Sequence, residues 1–399
     1  MGRQDPPLFT ENSSMSQVEE LLYRFKNRYG RVARIYRAPG RVNLIGEHTD
    51  YNEGFVMPAA IDLSTWVAVA PRSDRKICVY SENLSEAREV LLDGGPTPGS
   101  HWSDYVFGVA AVLEQSGHRL SGADLLVHSE VPIGAGLSSS AAIEVAVGYS
   151  LLQNAGLSID RTSLARICQR AENEFVGARC GIMDQFIASY GQYGKALMLD
   201  CRSLDFRLLP LPPRVRMVIC NTMIKHALAD GEYNRRRAEC ESAVQRLSQS
   251  LPGARALRDL TPSDLEQRGS SLPQTLRRRC RHVISENGRV AQAARALEQC
   301  DMERFGQLMS ESHRSLRDDY EVSCPELDLM VKLAAEAKGV YGARMTGGGF
   351  GGCTVNLVQE ESVNEFVEHV LQGYKRVTLK VPGIYVCSAA KGVEEVHLS

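Results

Sequence analysis

The spacing of apolar residues near the start of the chain predicts one helix followed by a series of strands. Apolar side chains recur on one helix face at Val18, Leu21, Leu22 and Phe25. Gly30 then ends the helix. Runs of small and β-branched residues predict strands at 32–36, 55–70, 77–80, 123–129, 196–199, 206–209 and 215–221. The polar residues before about Ser16 are expected to form a loose tail.

After the middle of the chain the pattern changes from mainly strands to mainly helices. Helices are predicted over 105–115 and 164–175, and residues 230–315 are helical and rich in arginine. The last third returns to mixed α/β, with a glycine-rich segment ahead of a strand at 353–357. We place a boundary in the proline-rich stretch 205–214, which predicts domains at 16–208 and 209–399.

Composition and charge restrict the class of protein. The chain has 399 residues, of which 43% are hydrophobic and 24% charged, and its net charge is -2. These values are typical of a globular protein, and they favour neither nucleic acid nor an anionic membrane as a partner. We therefore interpret the arginine runs at 235–237 and 277–281 as solvated helix faces.

The cysteines point to a reducing compartment. There are eleven, an odd number, with scattered spacing and no Cys-x-x-Cys pair. The first residues lack the apolar stretch of a signal peptide, and no apolar run reaches the about 18 residues of a membrane span. We expect a cytoplasmic protein.

A glycine- and serine-containing segment, Gly134 to Ser140, lies between a predicted strand and a predicted helix. Glycines let a backbone approach a ligand, and N–H groups at a helix start attract anions, so the segment suits a phosphate. An ordinary β–α turn with a serine N-cap fits equally well. Neither a Walker A loop nor a dinucleotide fingerprint is present.

A second segment, Gly40 to Tyr51, is dense in hydrogen-bonding side chains. They are Arg41, Asn43, Glu47, His48, Thr49 and Asp50. This density suits a polyol, which needs many donors and acceptors at once, and Arg41 could also bind phosphate. A polar surface loop and a His/Glu/Asp metal site are the alternatives.

Three further features leave a functional and a structural interpretation open. Asp184 is an isolated acid that suits either catalysis or the first turn of a helix. Glu172 would lie on a solvated helix face unless a site recruits it. The run from Gly347 to Gly352 is either a flexible turn or a place where backbone meets a ligand closely.

Three motifs together resemble a known family. Residues 40–51, Gly-Arg-Val-Asn-Leu-Ile-Gly-Glu-His-Thr-Asp-Tyr, resemble the galactokinase signature. Residues 132–141 and 346–352 resemble the nucleotide motif and the third motif of the GHMP kinases, and the resemblance runs from about Ile35 to Ala390. The related N-acetylgalactosamine kinases usually carry isoleucine where this chain has Thr49.

The resemblance implies a fold and an activity. It implies an α/β (α+β) GHMP kinase fold with an N-terminal mixed-sheet domain, a C-terminal ferredoxin-like domain and an active site in the cleft between them. The implied reaction moves the γ-phosphate of ATP to the C1 hydroxyl of galactose, with Mg²⁺ as cofactor, in a monomer whose partners are these small molecules. The alternatives are a GHMP kinase for another sugar, such as N-acetylgalactosamine, and a non-catalytic galactose sensor.

The resemblance also assigns roles to residues. Asp184 would accept the proton of the C1 hydroxyl, and Arg41 would stabilise charge beside it and the γ-phosphate. Mg²⁺ would be held by Ser140 and Glu172. The sugar-binding residues would be Glu47, His48, Thr49, Asp50, Gly181 and Tyr233. The ATP-binding residues would be Ser81, Trp102, Gly134, Ala135, Gly136, Leu137, Ser138, Ser139 and Ser140.

Overall fold

Two β-sheets with helices packed against them form the framework. The structure is a computed structural model that describes residues 16–225 and 229–398. Its helices are α1 (Gln17–Tyr29), α2 (Asp104–Gln115), α3 (Ser139–Asn154), α4 (Arg161–Ala171), α5 (Met183–Tyr190), α6 (Ala229–Leu247), α7 (Pro262–Arg268), α8 (Gln274–Glu298), α9 (Met302–Ser315), α10 (Pro325–Glu336) and α11 (Val363–Thr378). Its strands are β1 (Arg34–Ile45), β2 (Phe55–Pro71), β3 (Lys76–Ser81), β4 (Glu86–Leu91), β5 (Ala123–Ser129), β6 (Lys195–Asp200), β7 (Phe206–Pro210), β8 (Val215–Lys225), β9 (Val340–Thr346), β10 (Gly351–Gln359), β11 (Gly383–Cys387) and β12 (Glu394–Val396).

The first helix shows how local sequence sets an element. Ser16 is its N-cap: the Ser16 hydroxyl accepts from the Glu19 backbone N–H, and the Glu19 carboxylate accepts from the Ser16 N–H at 2.6 Å. Gly30 ends the helix in the left-handed region at φ 68°. The predicted helix is therefore present, while the tail predicted before Ser16 lies outside the described residues.

The first sheet is mixed. Its strands run in the order β12-β1-β2-β5-β3-β4, with β6 joining β2 to β7. Strands β3 and β5 are parallel, and the other described pairs are antiparallel. Helices α2, α3 and α4 pack against it over a large apolar core. The last strand, β12, pairs with β1, so the end of the chain completes this sheet. The division at 208/209 places β12 with the other half and stays a prediction.

The second sheet has ferredoxin-like connectivity. Its antiparallel order is β11-β8-β10-β9, and helices separate β8 from β9 and β10 from β11. Both faces are covered, because alternate residues of β8 enter different cores: Ile219 packs in one cluster with Phe305, and Cys220 packs in another with Phe366. The first cluster also contains Leu44 of β1, so a shared core joins the two halves.

The first half of the signature segment, residues 40–45, is a buried strand rather than a surface loop, and residues 46–51 follow it as a loop. Strand β1 continues to Ile45, with irregularities in its pairing to β2 on either side of Arg41 and Asn43. The predicted strand ended at residue 36 because the polar side chains interrupt the apolar pattern. Arg41 and Asn43 are both buried, since they find partners across the molecule.

Two arginines of the basic runs are buried, so the solvated-face interpretation is wrong for them. Arg236 donates to the Tyr320 carbonyl at 2.9 Å, and Arg279 donates to the Asp319 carbonyl at 2.7 Å. Both carbonyls belong to a π-helical turn, Leu316–Tyr320, that follows α9. The arginines therefore fix the position of Tyr320.

Among the described residues, no helix is both long and apolar enough to cross a membrane. All eleven cysteines lie in the described part of the chain and are free thiols.

Candidate active site

A cavity of about 420 Å³ lies where the two halves meet. Seven of the residues predicted for catalysis or sugar binding line it: Arg41, Glu47, His48, Asp50, Gly181, Asp184 and Tyr233. They come from β1, from the loop between β1 and β2 (residues 46–54, here the β1–β2 loop), from the segment around α5, and from α6. The glycines of segment 347–349 line the same cavity.

An arginine–carboxylate pair lies in the wall of this cavity. Arg41 Nε is 2.8 Å from Asp184 Oδ1, and Arg41 Nη2 is 2.7 Å from Asp184 Oδ2. The third guanidinium nitrogen donates to the Gly136 carbonyl at 2.6 Å. Burial lowers the pKa of Arg41, but the Asp184 carboxylate more than offsets this, so the net shift is upward and Arg41 stays charged.

The carboxylate of Asp184 accepts a third hydrogen bond, from the nucleotide motif. Ser138 is the N-cap of α3 and has a left-handed backbone (φ 58°, ψ 48°). Its hydroxyl does not accept a hydrogen bond from the N–H groups at the helix start. That hydroxyl instead donates to Asp184 Oδ2. Asp184 also lies in the first turn of α5, as the structural interpretation of this acid expects, and its catalytic role stays a prediction.

Glu47 ties the β1–β2 loop to the second half of the molecule. Its carboxylate accepts from the Gly347 N–H at 2.6 Å, from Arg344 at 3.1 Å and from the Asn43 amide. Burial raises the pKa of Glu47, against the opposing effect of Arg344. Both oxygens of Glu47 are thus engaged by the protein itself.

His48 lines the cavity with a neutral ring that is linked to two tyrosine hydroxyls. Its Nδ1 lies 2.7 Å from the Tyr51 hydroxyl, which lies 2.8 Å from the Tyr320 hydroxyl. Its Nε2 is buried, and the Gly348 backbone lies close enough to act on the pKa of the ring. Burial and the neighbouring His282 lower the pKa of His48 well below its usual value, so the ring is neutral.

Asp50 and Gly181 are matched to each other. A Cβ on Gly181 would overlap the Asp50 carboxylate. Only glycine at position 181 therefore allows that carboxylate to occupy its position at the cavity. Burial and the nearby Asp184 raise the pKa of Asp50 to about 7. The Tyr233 ring lies 5.6 Å from the His48 ring and encloses this part of the cavity.

Thr49 has a different place from the one predicted. It does not line the cavity and is fully buried. Its hydroxyl lies 2.8 Å from the Gly46 carbonyl and 2.7 Å from the Phe55 carbonyl, so it braces the two ends of the β1–β2 loop. Its contribution to a ligand would therefore be indirect.

The two glycine-containing segments pack on each other. A Cβ on Gly347 would lie 2.9 Å from the Gly136 carbonyl oxygen, and a Cβ on Gly352 would lie 3.0 Å from that of Ala135. Both glycines have positive φ, at 86° and 78°. The run is thus an ordered contact between the halves rather than a flexible turn.

Comparisons with known proteins agree with this geometry. Residues 23–71 match the galactokinase galactose-binding signature, residues 104–192 the GHMP kinases N terminal domain, and residues 293–376 the GHMP kinases C terminal domain. The curated galactokinase of Roseiflexus sp. (strain RS-1) is 50% identical over 383 residues, which are 96% of this chain and 98% of that protein. The chain belongs to the galactokinase family. It is therefore an ATP-dependent sugar kinase, and the motif-based resemblance is confirmed.

Solved structures support the family and the fold. Lactococcus lactis galactokinase, crystallised with galactose, superposes with a TM-score of 0.92 at 36% identity, covering 96% of this chain and all (100%) of that one. Methanococcus jannaschii mevalonate kinase superposes with a TM-score of 0.65 at 19% identity, covering 90% of this chain and 99% of that one, which shows the shared fold alone. The predicted two-domain GHMP kinase fold is confirmed.

In this galactokinase-family chain some residues of the nucleotide motif are buried in the core and others are accessible. The side chains of Ala135 and Leu137 are buried in the shared core, so only their backbone could meet ATP. Gly134 lines a second cavity, of about 760 Å³, and Ser139 begins α3.

The two residues predicted to contact adenosine lie apart from both cavities. Ser81 and Trp102 line neither of them. The Trp102 ring N–H donates to Glu86 at 2.6 Å. Their predicted adenosine contact stays a prediction.

Ser140 and Glu172 come together beside the cavity. The Ser140 hydroxyl lies close enough to the Glu172 carboxylate to lower its pKa, and Glu172 is only 7% exposed, so the solvated-face interpretation of Glu172 is wrong. Burial and the nearby Asp184 raise the pKa of Glu172. The described residues contain no group of three or more His, Cys, Asp or Glu side chains that could hold a metal. A hydroxyl and one carboxylate fit Mg²⁺, which takes few protein ligands when phosphates supply the rest.

Two residues of this site are absent from the sequence-based prediction. The Gln185 amide donates to Glu172 at 2.6 Å and to Glu144 at 3.0 Å, and it thereby fixes the Glu172 carboxylate. Glu144 is fully buried, and burial raises its pKa well above the usual value. An acid inside the apolar start of α3, one turn after Ser140, was the available signal.

Proposed function

We propose that this sugar kinase transfers the γ-phosphate of ATP to the C1 hydroxyl of D-galactose, giving galactose 1-phosphate and ADP. The observation that carries the proposal is the Arg41–Asp184 pair, which lies in the cavity wall and is hydrogen-bonded to Ser138 of the nucleotide motif. A base beside a phosphate-binding segment suits phosphoryl transfer to a hydroxyl. The galactose in the similar Lactococcus lactis structure supports the choice of sugar.

In this proposal the chain's own residues position the reactants and stabilise charge. Asp184 accepts the proton of the C1 hydroxyl as the phosphoryl group arrives. Arg41, charged and buried, stabilises the negative charge that develops on the transferred group. His48, whose ring is neutral, surrounds the sugar together with Asp50 and Tyr233, and the three side chains fix its orientation.

We propose Mg²⁺ as cofactor, held by Ser140 and Glu172. When bound together with ATP, it would neutralise phosphate charge. Glu172 presents a carboxylate whose direction Gln185 fixes, and Ser140 adds a hydroxyl at the start of α3.

Galactose should be phosphorylated well, and N-acetylgalactosamine and glucose poorly. A site built to hydrogen-bond particular hydroxyls can reject an analogue that lacks one by about 10⁴ or more in kcat/KM. A coupled ADP-release assay over a panel of sugars measures this ratio, with one ATP concentration throughout. Comparable kcat/KM for galactose and N-acetylgalactosamine would favour a kinase for another sugar. Binding of galactose with no ADP release would favour a sensor.

Removing either proposed metal ligand should weaken the use of Mg²⁺ and leave galactose binding unchanged. We expect Ser140→Ala and Glu172→Gln to lower the apparent affinity for Mg²⁺ by about tenfold or more. Steady-state kinetics at varied Mg²⁺ measure the loss, and calorimetry with galactose is the control. Wild-type activity with an unchanged Mg²⁺ dependence in both variants would show that the ligands lie elsewhere.

We also propose a monomeric, cytoplasmic enzyme. The eleven free thiols support a reducing compartment. Light scattering of the purified protein tests the monomeric state.

A further inference from the structure

We propose that one face of α8, in the second half of the chain, positions the β1–β2 loop for sugar binding. His282, Glu286 and Asn287 form this face, which we call the α8 clamp. All three hydrogen-bond to the backbone at one end or the other of the β1–β2 loop. None of them lines the cavity. They are positioning residues, and the inference rests on the proposed function.

The clamp holds the start of the loop at two successive residues. Glu286 Oε1 accepts from the Gly46 N–H at 2.9 Å, and His282 Nε2 lies 3.1 Å from the Glu47 carbonyl oxygen. Glu286, His282 and Gly46 are buried. A buried backbone group that loses its partner carries a full desolvation penalty, so these contacts fix the backbone on the N-terminal side of His48.

The clamp also holds the end of the loop. Asn287 Oδ1 accepts from the Phe55 N–H at 2.9 Å, at the first residue of β2. A Cβ on Gly54 would overlap Asn287 Oδ1 and would also lie 2.9 Å from the Thr49 side chain. Glycine at 54 therefore allows α8 to approach the loop this closely.

The loop between these anchors contains strained backbone. His48 has φ 63° and Glu53 has φ 58°, both in the left-handed region that non-glycine residues seldom adopt. Such conformations persist when the surrounding structure holds them, and they concentrate at functional sites. His48 lines the cavity from this strained position, so the clamp determines where its ring and the nearby Asp50 lie.

The clamp keeps one protonation state over the working pH range. Burial lowers the pKa of His282 to about 4, so its ring is neutral and has one N–H. Because a carbonyl can only accept, Nε2–H donates to Glu47, and Nδ1 accepts from the Ser315 hydroxyl at 3.0 Å. Burial raises the pKa of Glu286, but Arg289 and other cations more than offset this and lower it to about 2.

The test compares two substitutions of Glu286. Glu286→Met removes the acceptor for the Gly46 N–H, whereas Glu286→Gln keeps an acceptor oxygen there. We expect the galactose Kd to rise about tenfold in the Met variant and to stay within about threefold in the Gln variant. The Kd for ATP should not change in either, because the loop anchors the sugar side of the cavity.

Isothermal titration calorimetry supplies both constants, and the melting temperature reports on folding. Ser285→Ala is the matched control on the same helix, because the Ser285 hydroxyl bonds back to the Arg281 carbonyl of α8 itself. If Glu286→Met does not fold, Asn287→Ala tests the other end of the loop, with the same expected loss of galactose affinity and the same unchanged ATP affinity.

A folded Glu286→Met or Asn287→Ala protein that binds galactose as tightly as wild type would overturn the inference. Equal losses for galactose and ATP would also overturn it, since they would show general destabilisation. The proposed function fails separately: wild-type protein would then bind galactose weakly or release no ADP with it.

Discussion

Replacing Asp184 with asparagine should lower kcat by about 10²- to 10⁴-fold, the usual contribution of a general base. Asparagine keeps the size of the side chain but cannot take the proton of the C1 hydroxyl. It also has one acceptor oxygen where the carboxylate now receives Arg41 twice and Ser138 once. Steady-state kinetics with galactose and ATP measure the loss.

Galactose binding is the control for this variant, because His48, Asp50 and Tyr233 remain in the cavity. We expect the calorimetric Kd for galactose to change by less than about tenfold, since a single neutral hydrogen bond contributes about 1 kcal/mol. A folded Asp184→Asn protein that binds galactose and turns over within about tenfold of wild type would remove Asp184 from the role of base. Asp184 would then be a helix-start acid paired with Arg41.

The sequence predicted the pair at the centre of the site, although its members lie 143 residues apart. Arg41 stands inside the specific signature at 40–51, and the resemblance as a whole implied the role of Asp184, so the fold did not have to be known. Elements with a strong local pattern were also predictable. Helix α1 carries both of its caps in sequence, and the strand predicted at 353–357 lies within β10.

What the sequence could not predict depends on contacts between distant segments. Strand β1 looked like a loop because its polar residues find their partners far along the chain: Arg41 pairs with Asp184, and the Asn43 N–H donates to Thr346 in the second half. Thr49 looked like a sugar ligand because its hydroxyl is polar, but its partners are the carbonyls that the β1–β2 loop brings to it. The α8 clamp lies over 230 residues further along the chain, where a helical pattern alone predicts only an amphipathic face.

Removing the guanidinium at position 41 should have an effect of similar size through a different cause. We expect Arg41→Ala to lower kcat by about 10²- to 10³-fold, because one preorganised charge no longer stabilises the transferred phosphoryl group. Arg41→Lys is the matched variant: it keeps the charge but cannot bond Asp184 twice and the Gly136 carbonyl at once. Lysine should therefore recover part of the rate, which steady-state kinetics of the two variants will show.

The double variant Arg41→Ala/Asp184→Asn distinguishes cooperation from independent action. Groups that act as one unit are strongly non-additive, so the double variant should lose about as much kcat as Asp184→Asn alone. Its loss would equal the product of the single losses if the two residues served separate steps. A product of losses, or an Arg41→Ala protein within about tenfold of wild type, would contradict the joint role. The bidentate contact would then serve to hold β1 against α5, and its removal would lower the melting temperature instead of kcat.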